Sequence, residues 1–295
     1  MSTYVSSRDS TDVVAVIVTY NRFDELLLTL EAIIGEGIPM EKIIVINNHS
    51  TDPRYDSLTV YYPHLKHIVC ETNLASAGGF AKGMMMALEM RCDWLWLFND
   101  DSRPSHGALS SLKPFFRTSE CTHIIKISNL DNNGMATVLF WKGVRKPVKF
   151  PPAGDLIPCD LVTFDGCLIH AQVVKTIGSC DARFFMGSYE FDFCLRALDA
   201  GFRIFTLPNG LLEDQKLGSI NGLPPWREYY NSRNHLWMGL RNRSVETILA
   251  WFWRELKFSV VIALRSDQKV KRFRFKFRAI RDALMNRMGC TFLPE

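Results

Sequence analysis

The chain contains eight cysteines but no CxxC motif and no other paired spacing that would indicate a metal site. Several of these cysteines lie in apolar runs, which is typical of reduced core thiols in a reducing compartment. Internal repeats and low-complexity segments are also missing. With 295 residues, 47% of them hydrophobic and 22% charged, the composition predicts a globular chain of one large domain or a domain plus an appendage.

Long apolar runs are missing as well. No window reaches the roughly 18 uninterrupted apolar residues of a membrane span. The longest candidate, at 248–264, is interrupted by Arg254, Glu255 and Lys257. The first ten residues lack the apolar centre of a signal peptide. We therefore expect a cytoplasmic protein.

The chain as a whole has little excess charge, with a net charge of only +4. The segment 254–287 is different, since eleven Lys and Arg residues face three acids there, a local charge of +8 that leaves −4 for the rest. This asymmetry predicts a catalytic body over 1–243 and a basic helical appendage over 244–295.

Strand and helix patterns alternate along the first hundred residues. Apolar, often β-branched runs predict strands at 13–19, 42–47, 67–71 and 94–98. Helical spacing predicts one helix over 23–34 and another after the glycines at 78 and 79. This order predicts an α/β fold with a mainly parallel sheet, whose ligands lie at the carboxyl ends of the strands. Further along, we expect β-rich structure over 120–160, a strand over 161–170 and a helix over 190–201.

Two adjacent carboxylates, Asp100 and Asp101, directly follow the buried strand and Asn99. Neighbouring acids repel each other, and they persist most readily where a cation or a cationic partner neutralises them. A polar turn that ends the strand before Pro104 is the alternative interpretation.

Six segments follow one another along the chain: VIVTYNR, VINNHSTD, NLASAGGFAKGM, WLWLFNDDSRP, FFMGSYEFDFCLRALDAGFRI and REYYNSRN. This ordered set resembles the family 2 glycosyltransferases, inverting enzymes with a Rossmann-like GT-A fold that use nucleotide-sugar donors. The resemblance covers about residues 12–243. The third and fourth segments are most similar to the galactofuranosyltransferase-type branch, whereas the last two are shared with bacterial rhamnosyltransferases.

The resemblance implies a donor pocket at the strand ends. Its implied donor contacts are Thr19, Tyr20, Asn21, Asn47, Asn48, Asp52, Asn73, Gly78, Gly79, Lys82, Asn99 and Asp100. Asn47 departs from the family pattern, which has an Asp at that position. Glycines allow a phosphate to approach the backbone, and a helix N-terminus favours anions. Turn chemistry for the polar residues and close packing for the glycines are the alternatives.

The resemblance also implies Mg²⁺ or Mn²⁺, held against the donor diphosphate by an Asp-x-Asp signature. Aligning this signature with residues 99–101 makes Asp101 the direct ligand and leaves Asn99 at the first acidic position. Relatives often carry a histidine ligand where this chain has Gln215. An amide oxygen is a weaker ligand for most divalent metals, so we expect a weaker metal site.

The YEFDFCLR segment supplies the implied catalytic acids. By resemblance, Glu190 is the general base and Asp192 orients the acceptor hydroxyls, while Arg196 lies one turn on and supports Asp192. Acids that merely stabilise a helix N-terminus are the alternative.

The basic tail carries an apolar helical stripe: Phe273, Phe277, Ile280, Leu284 and Met288. Lysines and arginines surround it, at positions 271, 272, 274, 276, 278 and 281. This pattern predicts a helix on an anionic membrane surface. A helix packed on the catalytic body is the alternative, and the motifs provide no element for reading nucleic-acid bases.

Together these observations predict an inverting glycosyltransferase on the inner face of the plasma membrane. It would extend a lipid-linked bacterial surface polysaccharide such as an O-antigen, with UDP-galactofuranose as the leading donor. UDP-hexopyranoses and dTDP-rhamnose remain open as donors, and a homo-oligomer remains open. A catalytically weak sugar-nucleotide-binding partner of another transferase is the hypothesis from a different class.

Overall fold

The computed structural model describes residues 12–116, 122–128, 136–140, 144–148, 156–208, 210–214, 224–265 and 268–292. Its strands are β1 (Val13–Thr19), β2 (Ile43–Asn47), β3 (Lys66–Val69), β4 (Trp94–Asn99), β5 (Ser102–Pro104), β6 (Thr122–Ile127), β7 (Ala136–Phe140), β8 (Val144–Val148), β9 (Ile157–Pro158), β10 (Cys167–His170), β11 (Arg203–Leu207) and β12 (Leu212–Asp214). Its helices are α1 (Phe23–Gly35), α2 (Leu58–Tyr61), α3 (Ala75–Glu89), α4 (Ala108–Leu112), α5 (Ala171–Ile177), α6 (Tyr189–Asp199), α7 (Pro225–Arg241), α8 (Val245–Arg265) and α9 (Lys269–Leu284).

An eight-stranded sheet with the order β3-β2-β1-β4-β10-β6-β11-β9 forms the centre. The first four strands are parallel, and β10 runs antiparallel to both β4 and β6. This mixed, mainly parallel α/β sheet confirms the predicted fold class. Registers of Thr19 with Asn47 and of Val18 with Asn99 align the ends of β1, β2 and β4 at one edge.

The predicted boundaries agree well where a run is buried on both faces. β1 has the predicted bounds and all seven of its residues are buried. The strand expected over 161–170 is shorter, because only Cys167–His170 pairs with neighbours. Residues 161–166 instead lead into the sheet through a turn, in which Gly166 has a φ of +67°. The β-rich structure expected over 120–160 is found in β6 to β9.

Two apolar layers cover the sheet. Val14, Val16 and Val18 contribute to a layer that includes α3, whereas Ala15 and Ile17 contribute to a layer that includes α1. This alternation follows from the two-residue period of a strand, which sends successive side chains to opposite faces. Burial of both faces explains why the strand is apolar without interruption.

The helices α8 and α9 pack against α7, which lies in the predicted catalytic body. Tyr229 OH donates to Asp282 Oδ2 at 2.8 Å, and Trp237 Nε1 donates to Asn286 Oδ1 at 2.8 Å. Arg272 Nη1 forms an ion pair with Glu228 Oε1 at 2.6 Å. The predicted appendage is therefore fastened to the rest of the chain. Throughout the described ranges, every helix is too short or too polar to cross a bilayer.

The orientation of α9 differs from the predicted stripe. Its buried residues are Arg272, Lys276, Ala279, Asp282 and Ala283. The predicted apolar face is divided: Phe277 and Leu284 are exposed, whereas Ile280 and Met288 pack partly on the core. The prediction that basic residues surround the apolar stripe on the helix surface is therefore wrong for Arg272 and Lys276. Both are buried because Glu228 and Glu255 neutralise them.

Close packing of α3 on β1 depends on Gly83. A Cβ built on Gly83 would overlap Cγ1 of Val16, whereas a Cβ on Gly35, at the end of α1, has nothing within 4 Å. We expect Gly83→Ala to destabilise the protein by about 1–3 kcal/mol, because the helix must move away from the sheet. Gly35→Ala is the control and should leave stability unchanged or raise it. Equal urea midpoints for the two variants would contradict this account of the packing.

Candidate active site

A pocket of about 380 Å³ opens at the shared edge where β1 and β4 end. Its lining residues are Val18, Thr19, Tyr20, Arg22, Asn48, Asn73, Ala75, Ser76, Asn99, Asp100, Asp101, Met186, Trp226 and Arg227. Seven of the predicted site residues come together here: Thr19, Tyr20, Asn48, Asn73, Asn99, Asp100 and Asp101. The carboxyl edge of the parallel strands is where open α/β sheets bind ligands.

Residues from two further elements complete the pocket without having been predicted from the sequence. Trp226 and Arg227 line it from the first turn of α7, and Met186 lines it from the loop before α6. Arg227 opens the REYYNSRN segment, so the motif order contained a signal for it. The pocket thus combines sheet-edge polar groups with one aromatic and one cationic side chain from α7.

Asp100 and Asp101 share a cationic partner, Arg22. Asp100 is only 5% exposed, and its Oδ1 lies 3.3 Å from Arg22 Nη1, which also forms an ion pair with Asp101. The backbone amide of Tyr20 donates to Asp100 Oδ2 at 3.2 Å. Burial raises the pKa of Asp100 to about 6, although the Arg22 charge opposes that rise. Arg22 was missed in the sequence, where it follows the Thr-Tyr-Asn turn.

The acid pair fits a cation that takes most of its ligands from a bound diphosphate. Within the described ranges, no group of three or more His, Cys, Asp or Glu side chains could hold a metal ion by itself. Mg²⁺ commonly takes one or two carboxylates and completes its shell with phosphate and water. Asp101 meets that requirement, because it lines the pocket and is less buried than Asp100. Gln215, the other predicted ligand, lies outside the described residues.

Three predicted donor contacts form hydrogen bonds with residues of the loop after β2. Asn47 Oδ1 accepts from Ser50 N at 2.8 Å, and Asn21 Oδ1 accepts from Thr51 N at 2.7 Å. Asp52 accepts from Arg54 Nη2 at 2.7 Å. None of the three is among the pocket-lining residues. They shape the loop after β2, so the alternative of turn chemistry describes their placement better than direct donor contact does.

The glycines of α3 also serve packing. A Cβ on Gly79 would lie 2.6 Å from Val18 Cγ1, and one on Gly78 would lie 2.6 Å from Leu74 Cβ. Lys82 Nζ lies 3.9 Å from Cys70 Sγ. Gly78, Gly79 and Lys82 are not among the residues that line the pocket. Their expected contacts with the donor stay predictions, and their placement favours the packing alternative.

Glu190 lies in the first turn of α6, and its side chain is half-buried. Its Oε1 accepts a hydrogen bond from Phe164 N at 2.9 Å. Burial, and then the negative charge of Asp165, raises the pKa of Glu190 to about 8. A carboxylate with this pKa accepts protons near neutral pH far better than an ordinary glutamate does, as a general base requires.

Asp165 connects this carboxylate to the strand-end motif, although no sequence motif includes Asp165. Its Oδ1 accepts a hydrogen bond from Asn99 Nδ2, and its backbone carbonyl accepts one from Lys126 Nζ. Residues 99 and 165 are brought together because β10 follows Asp165 and pairs with β4. Asn99, which lacks a charge of its own, is therefore paired with a carboxylate from the turn before β10.

Asp192 is placed differently from its predicted role. Its side chain is fully buried and pairs with Arg196 Nε at 2.9 Å and with Arg241 Nη1 at 3.5 Å. Arg196 continues to the carbonyl oxygens of Ile177 and Ser179, at 2.6 and 2.9 Å. The predicted support of Asp192 by Arg196 is present as an ion pair. Contact between Asp192 and an acceptor stays a prediction, and its burial argues against it.

Comparison with known proteins agrees with this geometry. Residues 14–158 match the family described as glycosyl transferase family 2. The chain carries a family 2 glycosyltransferase domain. This match confirms the family that the motif order predicted, and it includes β1, β4 and the acid pair.

The named relatives that this chain is similar to fall into two groups. The galactofuranosyltransferase GlfT1 of Mycolicibacterium smegmatis is 30% identical over 64% of this chain and 66% of its own length, just under two thirds. The dTDP-rhamnosyl transferase RfbF of Shigella flexneri is 24% identical over 85% of this chain and 87% of its own. The solved structure of GalNAc-T7 with UDP, GalNAc and Mn²⁺ superposes with a TM-score of 0.64 at 12% identity, covering 94% of this chain and 56% of that one. These similarities confirm the predicted GT-A fold.

Two adjacent residues of α7 hold the loop that precedes α6. Asn234 Nδ2 donates to the carbonyl oxygens of Phe184, Met186 and Gly187 at 2.9, 2.6 and 3.0 Å. Arg233 Nη2 donates to the same Phe184 carbonyl at 3.1 Å. Phe185, Gly187 and Ser188 all have positive φ, so the loop needs such fixing to keep Glu190 in place.

We expect Arg22→Gln to lower the thermal unfolding midpoint by about 2–4 °C at pH 7.5, because Asp100 and Asp101 lose their shared cation. At pH 5 the loss should be smaller, since Asp100, with a pKa of about 6, is then mostly neutral. The control is Arg54→Gln, which removes an exposed arginine from Asp24 and Asp52. An Arg22→Gln shift of equal size at both pH values would show that charge neutralisation is not its role.

Proposed function

We propose that this chain transfers a sugar from a nucleotide-diphosphate donor to a hydroxyl group of a glycan acceptor, with inversion at the anomeric carbon. One observation carries the proposal. The strand-end pocket with its acid pair is connected through Asn99 and Asp165 to Glu190, a carboxylate whose pKa is raised to about 8. A donor pocket beside a proton acceptor is what this reaction requires.

The donor side of the mechanism uses the lining residues. Thr19, Asn48 and Asn73 offer hydrogen-bonding groups for the base and ribose, and Tyr20 offers an aromatic face. Arg227 offers a guanidinium that suits a diphosphate, because its fork of donors matches paired oxygen atoms. These residues bind and orient the nucleotide so that the anomeric carbon faces the acceptor.

A divalent cation, Mg²⁺ or Mn²⁺, would be held by Asp101 on the protein side, with Asp100 close to it. When bound, such an ion offsets the charge that develops on the departing nucleotide diphosphate. The solved structure of GalNAc-T7 with UDP and Mn²⁺ supports a metal-assisted donor site in this fold. In this chain Arg22 already neutralises the acid pair, so the cation and Arg22 would share the same carboxylates.

On the acceptor side, Glu190 takes the proton of the attacking hydroxyl group. The backbone amide of Phe164 donates to one carboxylate oxygen, Oε1, and we assign the acceptor proton to the other. We assign Asp192 to the support of α6, because it is neutralised by Arg196 and Arg241 and has no exposure. Catalysis by Glu190 therefore depends on Asp192 through the position of the helix.

The donor sugar is proposed from the relatives. Similarity at 30% identity to a protein named galactofuranosyltransferase favours UDP-galactofuranose as donor. Similarity to a protein named dTDP-rhamnosyl transferase covers more of both chains and keeps dTDP-rhamnose as the second candidate. A panel of nucleotide sugars, including UDP-hexopyranoses, decides among them by the release of nucleotide diphosphate.

We further propose that the acceptor is a lipid-linked glycan of a bacterial surface polysaccharide and that the chain works at the inner face of the plasma membrane. The basic, apolar C-terminal helices support this location. The rival class, a sugar-nucleotide-binding partner without turnover, is motivated by the amides at Asn47, Asn99 and Gln215. Sugar transfer, or hydrolysis of the donor, by the purified protein excludes that rival. Tight donor binding without either reaction would establish it.

Metal use is tested at Asp101. We expect Asp101→Ala to abolish transfer and to weaken binding of the nucleotide diphosphate in the presence of Mn²⁺, because the cation loses its protein carboxylate. Asn99→Asp should tighten Mn²⁺ binding, measured by calorimetry with the nucleotide diphosphate present. Full wild-type activity in excess EDTA would contradict metal-assisted transfer in this protein.

The base is tested by Glu190→Gln, which keeps the size and the hydrogen bond from Phe164 but accepts no proton. We expect kcat to fall by roughly 10²–10⁴ with little change in donor affinity. In the wild type, kcat should rise with pH and reach half its maximum near pH 8, because the base must be ionised and its pKa is about 8.

Asp165→Asn provides the matched test of the electrostatic cause. Removing that negative charge lowers the pKa of Glu190, so the acidic limb of the pH profile should move to lower pH. The amide can still accept from Asn99, which keeps the loop in place. A profile that is unchanged in Asp165→Asn would separate Asp165 from the base. Near-normal kcat in Glu190→Gln would remove Glu190 from the reaction.

A further inference from the structure

One side of α8 is apolar and exposed along its whole length. Whereas Phe258 and Val261 are exposed elsewhere on the helix, the other seven of the nine exposed large apolar side chains of α8 recur at helical spacing on this side: Val245, Leu249, Phe252, Trp253, Leu256, Val260 and Leu264. Their exposed fractions lie between 45% and 74%, which is unusual for so many large apolar residues on one face. We call these seven residues the α8 face.

The other side of α8 is occupied by the protein. Ile262 is only 2% exposed, and Trp251 Nε1 donates to Ser232 Oγ at 3.3 Å. Glu255 Oε2 pairs with Lys276 Nζ of α9 at 2.9 Å. The helix therefore has a fixed rotation, and the α8 face is the side that α7 and α9 leave uncovered.

The outward side of α9 mixes apolar and basic residues. Val270, Phe277 and Leu284 are 77%, 71% and 65% exposed, and Arg274 lies one turn after Val270 on the same side. A groove of about 710 Å³ runs along the start of α9. Cationic side chains line this groove together with Phe275 and Phe292: Lys269, Lys271, Arg274 and Arg278. A surface of this composition is suited to phosphate headgroups with apolar tails attached.

We propose that the α8 face inserts into the headgroup boundary of an anionic lipid bilayer, while the basic groove of α9 contacts the lipid phosphates. The inference rests on the proposed function only in that a lipid-linked acceptor is reached from this position. It assigns the membrane contact mainly to α8, whereas the apolar stripe that the sequence predicts lies in α9 and just after it. Arg254 and Glu255 pack inward, so α8 lies on the membrane and does not cross it.

A second copy of this chain fits the surface less well than a bilayer does. A two-fold interface brings the same patch of both copies together, so the cationic groove of one copy would face the cationic groove of the other. Like charges at close range cost free energy, whereas an anionic surface attracts each of them. The charge of the surface therefore favours lipid.

The test is partition of the full-length chain onto vesicles of phosphatidylcholine, with and without phosphatidylglycerol. The variant Phe252→Ser/Trp253→Ser/Leu256→Ser removes apolar area from the α8 face, and we expect it to bind anionic vesicles at least about tenfold more weakly. The matched control is Val60→Ser/Tyr61→Ser/Val69→Ser, which changes three side chains that are at least as exposed but lie on α2 and β3. Control binding should equal wild-type binding.

A second variant tests the charges independently and keeps the proposal falsifiable if the triple variant folds poorly. Lys271→Gln/Arg274→Gln should lose the preference for anionic vesicles and most of the salt dependence, while weak binding through the α8 face persists. Wild-type binding by the triple variant, or equal binding to neutral and anionic vesicles by the wild type, would overturn the proposal. A wild-type dimer that the triple variant dissociates, without vesicle binding by either, would assign the face to self-association.

Activity on a soluble acceptor separates this inference from the proposed function. The triple variant should transfer sugar to a soluble acceptor at the wild-type rate and should lose activity only with acceptor in vesicles. Vesicle binding by a wild-type protein that transfers no sugar would leave the docking face standing and remove the proposed function. Transfer without vesicle binding would do the reverse.

Discussion

The structure depends on the neutralisation of the Asp100 carboxylate. Asp100 directly follows β4, whose first five residues are buried, and it is itself only 5% exposed. Burial without a partner would force such a group to take up a proton or leave the interior. Arg22 provides the opposite charge, and the backbone amide of Tyr20 provides a hydrogen bond. Thr29 of α1 also donates to the Asp100 carbonyl oxygen at 2.8 Å. The part of the pocket that Asp100 lines is thus continuous with the core. Its surface is held in place by contacts within the protein.

Much of the fold could be predicted from the sequence, because strands buried on both faces are apolar without interruption. β1 has the bounds that its apolar run indicates, and β4 extends one residue beyond its run, to Asn99. Half of the pocket followed from the same rule, since parallel strands place their carboxyl ends at one edge. Asn47 and Asp52 were expected there too, but they bond within their own loop. A pattern of polar residues after a strand does not tell whether the backbone or a ligand is the partner.

The remaining part of the site depends on contacts across long stretches of sequence. Asp165 reaches Asn99 because β10 pairs with β4 in the antiparallel direction, and no local pattern indicates that pairing. The rotation of α9 was hidden for a related reason. Its Arg272 and Lys276 are buried opposite Glu228 and Glu255 of other helices. A prediction that places every charged residue on the outer face therefore gives the wrong rotation of α9. Pairs of opposite charge can replace apolar residues at a packed interface once both partners are present.

One guanidinium connects the C-terminal segment to the loop before Glu190. Arg233 is fully buried, and it donates from Nη1 to the Gly289 carbonyl oxygen at 2.9 Å and from Nη2 to the Phe184 carbonyl oxygen at 3.1 Å. Because the guanidinium is planar and rigid, these two peptide groups keep a fixed separation. A load applied to the chain end beyond α9 is therefore transmitted to residue 184, six positions before Glu190. The C-terminal segment and the start of α6 are therefore mechanically coupled through one buried side chain.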